Sequence, residues 1–211
     1  MALKLFVLSR PGSGKSTVAR YIKAYAKNIG WSAARFNDYV ILQNMFLADT
    51  EHKQFKPAEY GGFDVLDLTV FDIALQKLEQ EVKKHILSAK SEELTLIEFA
   101  RNDYQSAFHQ FSSAFLRDAY FLYLDVDIET CKRRISERIA NPRTEDDFFV
   151  SEYIFSHYYN KDNGRDIPHI LERSFGLNKQ RVKIIDNNSS LQVSTAQINQ
   201  FVDIICGSES R

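Results

Sequence analysis

The chain has 211 residues, 44% of them hydrophobic, with a formal net charge of −1 and an isoelectric point near 6.5. That size and apolar content suit one buried core in a single α/β domain with insertions better than two separate domains. A near-neutral balance excludes a global attraction to nucleic acid or to an anionic membrane, so any basic function has to be local. No apolar run approaches the roughly 18 residues of a membrane span, and the first strand begins close to Met1, which predicts a cytoplasmic protein without a signal peptide. Cys131 and Cys206 stand among apolar neighbours on predicted helices and read as reduced, buried thiols.

In chain order, Leu3–Leu8 reads as a buried strand, and Val18, Ile22, Tyr25, Ala26 and Ile29 share one face of a helix that Gly30 closes. Between them stands Ser9-Arg10-Pro11-Gly12-Ser13-Gly14-Lys15-Ser16-Thr17. Gly12 and Gly14 free the backbone to turn its N–H groups inward, and the helix start aims its positive dipole end at an anion. Lys15 adds a mobile full charge, and Ser16 offers the hydroxyl that a phosphate-bound Mg²⁺ needs. The pattern G-x-x-x-x-G-K-[ST] is a phosphate-binding P-loop. Ser9 takes the place of its first glycine, and the strand–loop–helix setting supports the match.

A second strand over 31–36 runs into a helix over 39–47, and 48–62, with Pro57 and Gly61-Gly62, reads as a long irregular excursion. Leu66, Val70, Ile73, Ala74, Leu78, Val82 and Ile86 recur at helical spacing and predict a helix over 65–88. A third strand over 94–99 precedes a helix reaching Phe115. Ala119–Asp125 is a fourth strand and Ile128–Ala140 a helix stopped by Asn141-Pro142. A last strand over 181–186 leads into a helix over 191–206. Apolar strands alternating with helices argue for a five-stranded parallel sheet in three α/β/α layers. Ligands then gather at the carboxyl ends of the strands.

Glu98 ends the third strand, where a P-loop protein needs an acid to hold Mg²⁺ or to accept a proton. Arg101, three residues on, can reach across the cleft to a substrate anion or make an ordinary ion pair. Asp38, after the second strand, can take a hydroxyl proton, bond a sugar, or cap the helix that follows. Lys132, Arg133, Arg134, Arg138 and Arg143 form the dense basic cluster. Arg134 and Arg138 share a helix face and are assigned to the transferred phosphoryl group, whereas Lys132 and Arg133 read as a solvated face. Beyond them 141–168 reads as a lid, with Glu145-Asp146-Asp147 able to dock on the arginines or simply to start a helix. His157 and His169 lack metal-ligand spacing, so no zinc site is expected.

These residues resemble the P-loop small-molecule kinases, in particular nucleoside monophosphate kinases of the adenylate kinase type. The resemblance is carried by Pro11 to Thr17, by Glu98-Phe99-Ala100-Arg101, by the Arg134/Arg138 pair and by 186–191. It implies a P-loop NTPase fold and ATP with Mg²⁺ as cofactors. It implies Pro11, Gly12, Ser13, Gly14, Lys15, Ser16 and Thr17 around the phosphates, with Ser16 and Glu98 at the metal. Asn188 would lie near the adenine, Arg101 at the acceptor's phosphate, and Arg134 and Arg138 at the transferred group; Asp38, assigned from its place after the second strand, joins the acceptor site and, with Lys15 and Glu98, the chemistry. Glu98 stands where those kinases usually show Asp, the neighbouring glycine is missing, and 48–62 matches no acceptor-binding pattern.

The expected organisation is therefore one domain with a core over 1–42, 91–140 and 178–206, an acceptor-binding insertion over 43–90 and a lid-like segment over 141–177. The expected activity is transfer of the ATP γ-phosphate to a small molecule, most naturally a nucleotide or nucleoside, by a monomer or homodimer. A regulatory ATPase acting on a protein partner is the rival. A nucleic-acid end kinase would need a basic channel that the composition does not supply.

Overall fold

The computed structural model describes residues 2–58, 62–89, 92–140, 150–189 and 191–207. In chain order its elements are β1 (Leu3–Leu8), α1 (Lys15–Asn28), β2 (Ser32–Asn37), α2 (Asp38–Ala48), β3 (Phe55–Pro57), β4 (Phe63–Val65), α3 (Thr69–Ile86), β5 (Glu93–Phe99), α4 (Tyr104–Phe108), α5 (Ser113–Arg117), β6 (Ala119–Asp125), α6 (Ile128–Ala140), α7 (Glu152–His157), α8 (Ile167–Phe175), β7 (Val182–Asp186) and α9 (Leu191–Gly207). The main sheet has five parallel strands in the order β2-β5-β1-β6-β7. Its register sets Leu8 beside Phe99 and Tyr123, and Asn37 beside Glu98, so the chemistry-bearing ends of β1, β2 and β5 lie along one edge.

The central strands are apolar on both faces because helices cover both. Phe6 of β1 stacks on Phe121 of β6 at 5.1 Å and meets Phe99, Phe111 and Phe115 edge-on. Edge-to-face and offset ring contacts of this kind add to simple area burial. Cys131 and Cys206 are buried free thiols. Among the described residues no helix is long and apolar enough to cross a membrane.

Three local expectations change. Residues 48–62 are not wholly irregular: β3 and β4 pair as an antiparallel hairpin, Phe55 opposite Val65. Each strand is three residues long, too short for any periodicity to register. The Asp49 carboxylate holds the hairpin's entry by accepting the N–H groups of Lys53, Gln54 and Phe55, and Phe55 and Phe63 bury their rings against Phe46. The long helix begins at Thr69 rather than 65: Val65 belongs to β4, and just before the Leu68 N-cap the Asp67 carboxylate accepts the Thr69 N–H and hydroxyl at 2.9 and 2.7 Å in a local turn. The helix predicted to reach Phe115 is two short helices, α4 and α5. Glu79 of α3 accepts the Ser112 N–H at 2.8 Å and its hydroxyl, taking that backbone out of a continuous helix.

The segment after Val150 packs on the sheet. Ile154, Phe155, Tyr159, Ile167, Ile170 and Leu171 are all buried in the common core. The expected lid over 141–177 is therefore core-packed through much of its second half, since those side chains lose apolar contact if it moves. The rest of that expectation, with Arg143, Glu145-Asp146-Asp147 and Phe148-Phe149, lies outside the described residues.

Candidate nucleotide and acceptor site

The P-loop is pinned where β1 ends. Ser9 is buried and its Oγ donates to the Leu124 carbonyl of β6 at 2.6 Å. Its backbone is not left-handed, so this position makes no demand for glycine. Gly12 does: its φ is +77°, and a Cβ there would lie 2.4 Å from the Cys131 carbonyl of α6. Gly14, at φ +93°, caps α1 without a side-chain hydrogen bond. The first-turn N–H groups of α1 are thus not consumed by a capping side chain. Lys15 Nζ donates to the Ser9 and Arg10 carbonyls at 3.0 and 2.7 Å. Desolvation lowers its pKa to about 8, opposed by Glu98 and Asp38. Open amide donors with a lysine folded onto the loop's own carbonyls fit a triphosphate.

Ser16 Oγ donates to Glu98 Oε2 at 3.4 Å, so the hydroxyl and the carboxylate expected at Mg²⁺ are neighbours. Both are hard oxygen donors of the kind Mg²⁺ prefers. Glu98 also carries a close two-nitrogen contact from Arg35 of β2, which Trp31-to-Phe36 patterning did not single out. An arginine inside a short strand of otherwise small and aromatic residues was the signal available.

Asp38 opens α2, and the cap is its neighbour: Asn37 Oδ1 accepts the Val40 N–H at 3.0 Å. The carboxylate of Asp38 instead receives Arg101 Nη1 at 2.5 Å. Arg101 is 2% exposed, donates also to the Ala100 and Phe71 carbonyls at 2.6 Å each, and lies over the rings of Phe71 and Phe99. It does not line the cleft. The expectation that Arg101 binds substrate thus meets a guanidinium already enclosed, because three acceptors and two ring faces compensate its burial.

Arg134 of α6 donates to the Ser13, Asn187, Asn188 and Ser189 carbonyls at 3.0 to 3.4 Å, tying the P-loop to the turn after β7. The residue of that turn that touches the loop is Asn187, which is buried and donates to the Ser13 carbonyl at 2.8 Å. Asn188, the residue singled out from sequence, is exposed and accepts the Asp127 N–H instead. Adjacent asparagines cannot be told apart by composition. Ser13 is fully buried and Thr17 lies at the cleft mouth. Lys132 and Arg133 make surface ion pairs with Glu129 and Glu137.

These residues surround a cleft of about 350 Å³. One wall is Pro11, Gly12, Gly14, Lys15, Ser16, Thr17, Arg20, Arg134, Glu137 and Arg138; the other is Asn37, Asp38, Tyr39, Leu42, Phe99, Ala100, Val150 and Tyr159, with Glu98 between them.

The parallel sheet, the glycine loop leading into α1 and the lysine within it define a P-loop nucleotide-binding domain. The chain belongs to the AAA domain family, whose sequence model matches residues 6–154. No curated protein matches the sequence. Among solved structures it is similar to Kti12 from Chaetomium thermophilum in complex with ADP-AlF3, at 12% identity and a TM-score of 0.57, covering 94% of this chain and 96% of that one. A sugar kinase from Janibacter sp. HTCC2649 is 14% identical with a TM-score of 0.53, covering 97% and 96%. A gluconokinase from Sinorhizobium meliloti 1021 is 10% identical with a TM-score of 0.50, covering 99% and 95%. At these identities the likeness shows the fold.

Proposed function

We propose that the protein is a Mg·ATP-dependent small-molecule kinase. The observation that carries this is a single cleft with two chemically different walls: a cationic phosphate loop on one side and, on the other, the Asp38 carboxylate among Tyr39, Phe99 and Tyr159. A nucleotide held by the loop presents its terminal phosphate to a second molecule held by the opposite wall. Asp38 accepts the acceptor's hydroxyl proton while that oxygen bonds to the γ-phosphorus and the bond to the ADP oxygen breaks. Arg101 holds the Asp38 carboxylate in place. Lys15 and Arg138 offset charge on the transferred group, and Arg134 holds the loop and the turn after β7 together. Ser16 and Glu98 would hold Mg²⁺, which when bound would supply positive charge against that of the phosphates. Insertion 43–90 serves the acceptor.

ADP release measured across nucleosides, nucleotides, sugars and sugar acids tests this, with Lys15→Ala as the control. One compound should stimulate release at least tenfold in the native protein and not in the variant. Slow release indifferent to every compound defeats phosphotransfer and leaves the regulatory ATPase.

A further inference from the structure

The cleft has an uneven distribution of charge that goes beyond the class of reaction. Its lining cations, Lys15, Arg20, Arg134 and Arg138, all stand on the P-loop, α1 or α6. The facing wall, among the described residues, carries one charged side chain, the Asp38 carboxylate. The guanidinium nearest that wall, Arg101, is closed off: 2% exposed, bonded to Asp38, Ala100 and Phe71, and flanked by Phe71 and Phe99. Freeing it to meet a substrate anion would leave the buried Asp38 carboxylate without its partner and take a donor from the Ala100 and Phe71 carbonyls. Apart from Asn37, the remaining residues of that wall are apolar or aromatic, among them Tyr39, stacked on Phe63 at 5.4 Å, and Tyr159, whose hydroxyl donates to the Ala100 carbonyl at 3.4 Å.

We infer that the acceptor is an uncharged, hydroxyl-bearing molecule with a flat or apolar face, of the nucleoside or neutral-sugar kind, and that the Asp38 wall selects against acceptors bearing a phosphate or carboxylate. This rests on the phosphotransfer proposed above. A second anion in this cleft would sit against the Asp38 carboxylate and the transferred phosphate, and at short range in a partly dry site like charges cost several-fold to hundreds-fold in affinity. A hydroxyl is what a fixed carboxylate acceptor favours, because it can donate to it. Arg138, which faces toward Tyr39 from α6, is the group through which an anionic acceptor would enter.

Matched pairs decide it: adenosine against AMP, cytidine against CMP, glucose against gluconate, each with Mg·ATP. Where a pair stimulates ADP release, kcat/KM should favour the neutral member at least tenfold, and Asp38→Asn should shrink the ratio of the residual rates by at least tenfold. An anionic member equal to or better than its partner, or a ratio unmoved in Asp38→Asn, overturns the inference. If no member raises ADP release, phosphotransfer itself falls, and the charge preference is read from melting shifts of the protein loaded with Mg·AMP-PNP. There a neutral compound stabilising more than its partner upholds the selection, and a larger shift from the anion, or no shift from any neutral compound, overturns it. Arg138→Met separates the two routes: an anionic preference lost in that variant assigns the acceptor to Arg138 and excludes selection by Asp38.

Discussion

Arg101 and Asp38 form a unit in which neither charge stands alone, and that has a measurable signature. Arg101→Met leaves a buried carboxylate without its counter-ion and takes one donor each from the Ala100 and Phe71 carbonyls. Removing one partner of such a pair costs about 3–5 kcal/mol. Urea unfolding at neutral pH should show a loss of that size, and the double variant Asp38→Asn/Arg101→Met should recover part of it. A residue that served only to bind substrate would raise KM and leave the urea midpoint where it was, and that outcome would remove the pair from the framework of the site. Lys15 makes the opposite prediction. Its contacts are to loop carbonyls alone, so Lys15→Ala should barely move the melting temperature of the nucleotide-free protein. Mg·ATP at about a hundred times its Kd stabilises a native protein by about 2.7 kcal/mol, and calorimetry should find most of that gone in the variant. An equal ATP-induced shift in both proteins would dismiss the lysine from the phosphate cradle. Lys15, Ser16 and Glu98 were legible because glycine spacing and a strand-end acid are local patterns. Arg35 and Asn187 were not, because what sets them apart is contact with residues 63 and 174 positions away.

At the scale of elements, Glu79 shows how α3 shapes the chain that follows β5. Its carboxylate takes the Ser112 N–H and hydroxyl at the start of α5 and pairs with Lys83. Burial opposes its ionisation, yet the hydrogen bonds from Lys83 and Ser112 outweigh it, and the pKa lies below the ordinary carboxylate range. A carboxylate with a depressed folded-state pKa stabilises the fold fully above the unfolded value of about 4.3 and loses that contribution as pH falls through the folded one. Glu79→Gln should therefore cost about 1–3 kcal/mol at pH 7, with native and variant stabilities converging between pH 5 and 3. Parallel curves over that range would mean the contact is not ionic. The same residue explains one limit of reading helices from periodicity. Apolar spacing through Tyr104, Phe108, Phe111 and Phe115 is helical, but the break at Ser112 is imposed by a side chain 33 positions earlier. The hairpin of β3 and β4 escaped for a different reason, since strands of three residues each carry no repeat.

Across the whole molecule, the alternation of apolar strands with helices was enough to predict five parallel strands, because each intervening helix carries the chain back to the end of the sheet where the previous strand began. What alternation could not reveal is how firmly the segment after Val150 belongs to that sheet. Asp162 sits at the join: it forms an ion pair with Arg10 of the P-loop at 2.7 Å, accepts the Tyr123 hydroxyl of β6 at 2.8 Å and accepts the Gly164 N–H at 2.8 Å. Arg10 in turn donates to the Tyr159 and Val126 carbonyls. One carboxylate thus joins the nucleotide loop, a central strand and the chain beyond α7. If these parts unfold together, circular dichroism and tyrosine fluorescence should give one coincident urea transition, even in a chain long enough for intermediates to be common. Asp162→Ala should move that single transition by about 3–5 kcal/mol, the cost of leaving Arg10 without its partner in a largely buried pair. Because Arg10 lies within the loop, the variant should also weaken Mg·ATP stabilisation while Lys15 is intact. A second, earlier transition confined to the variant would mean that 150–177 folds as a separate unit, and unchanged nucleotide binding would break the link between that segment and the phosphate loop.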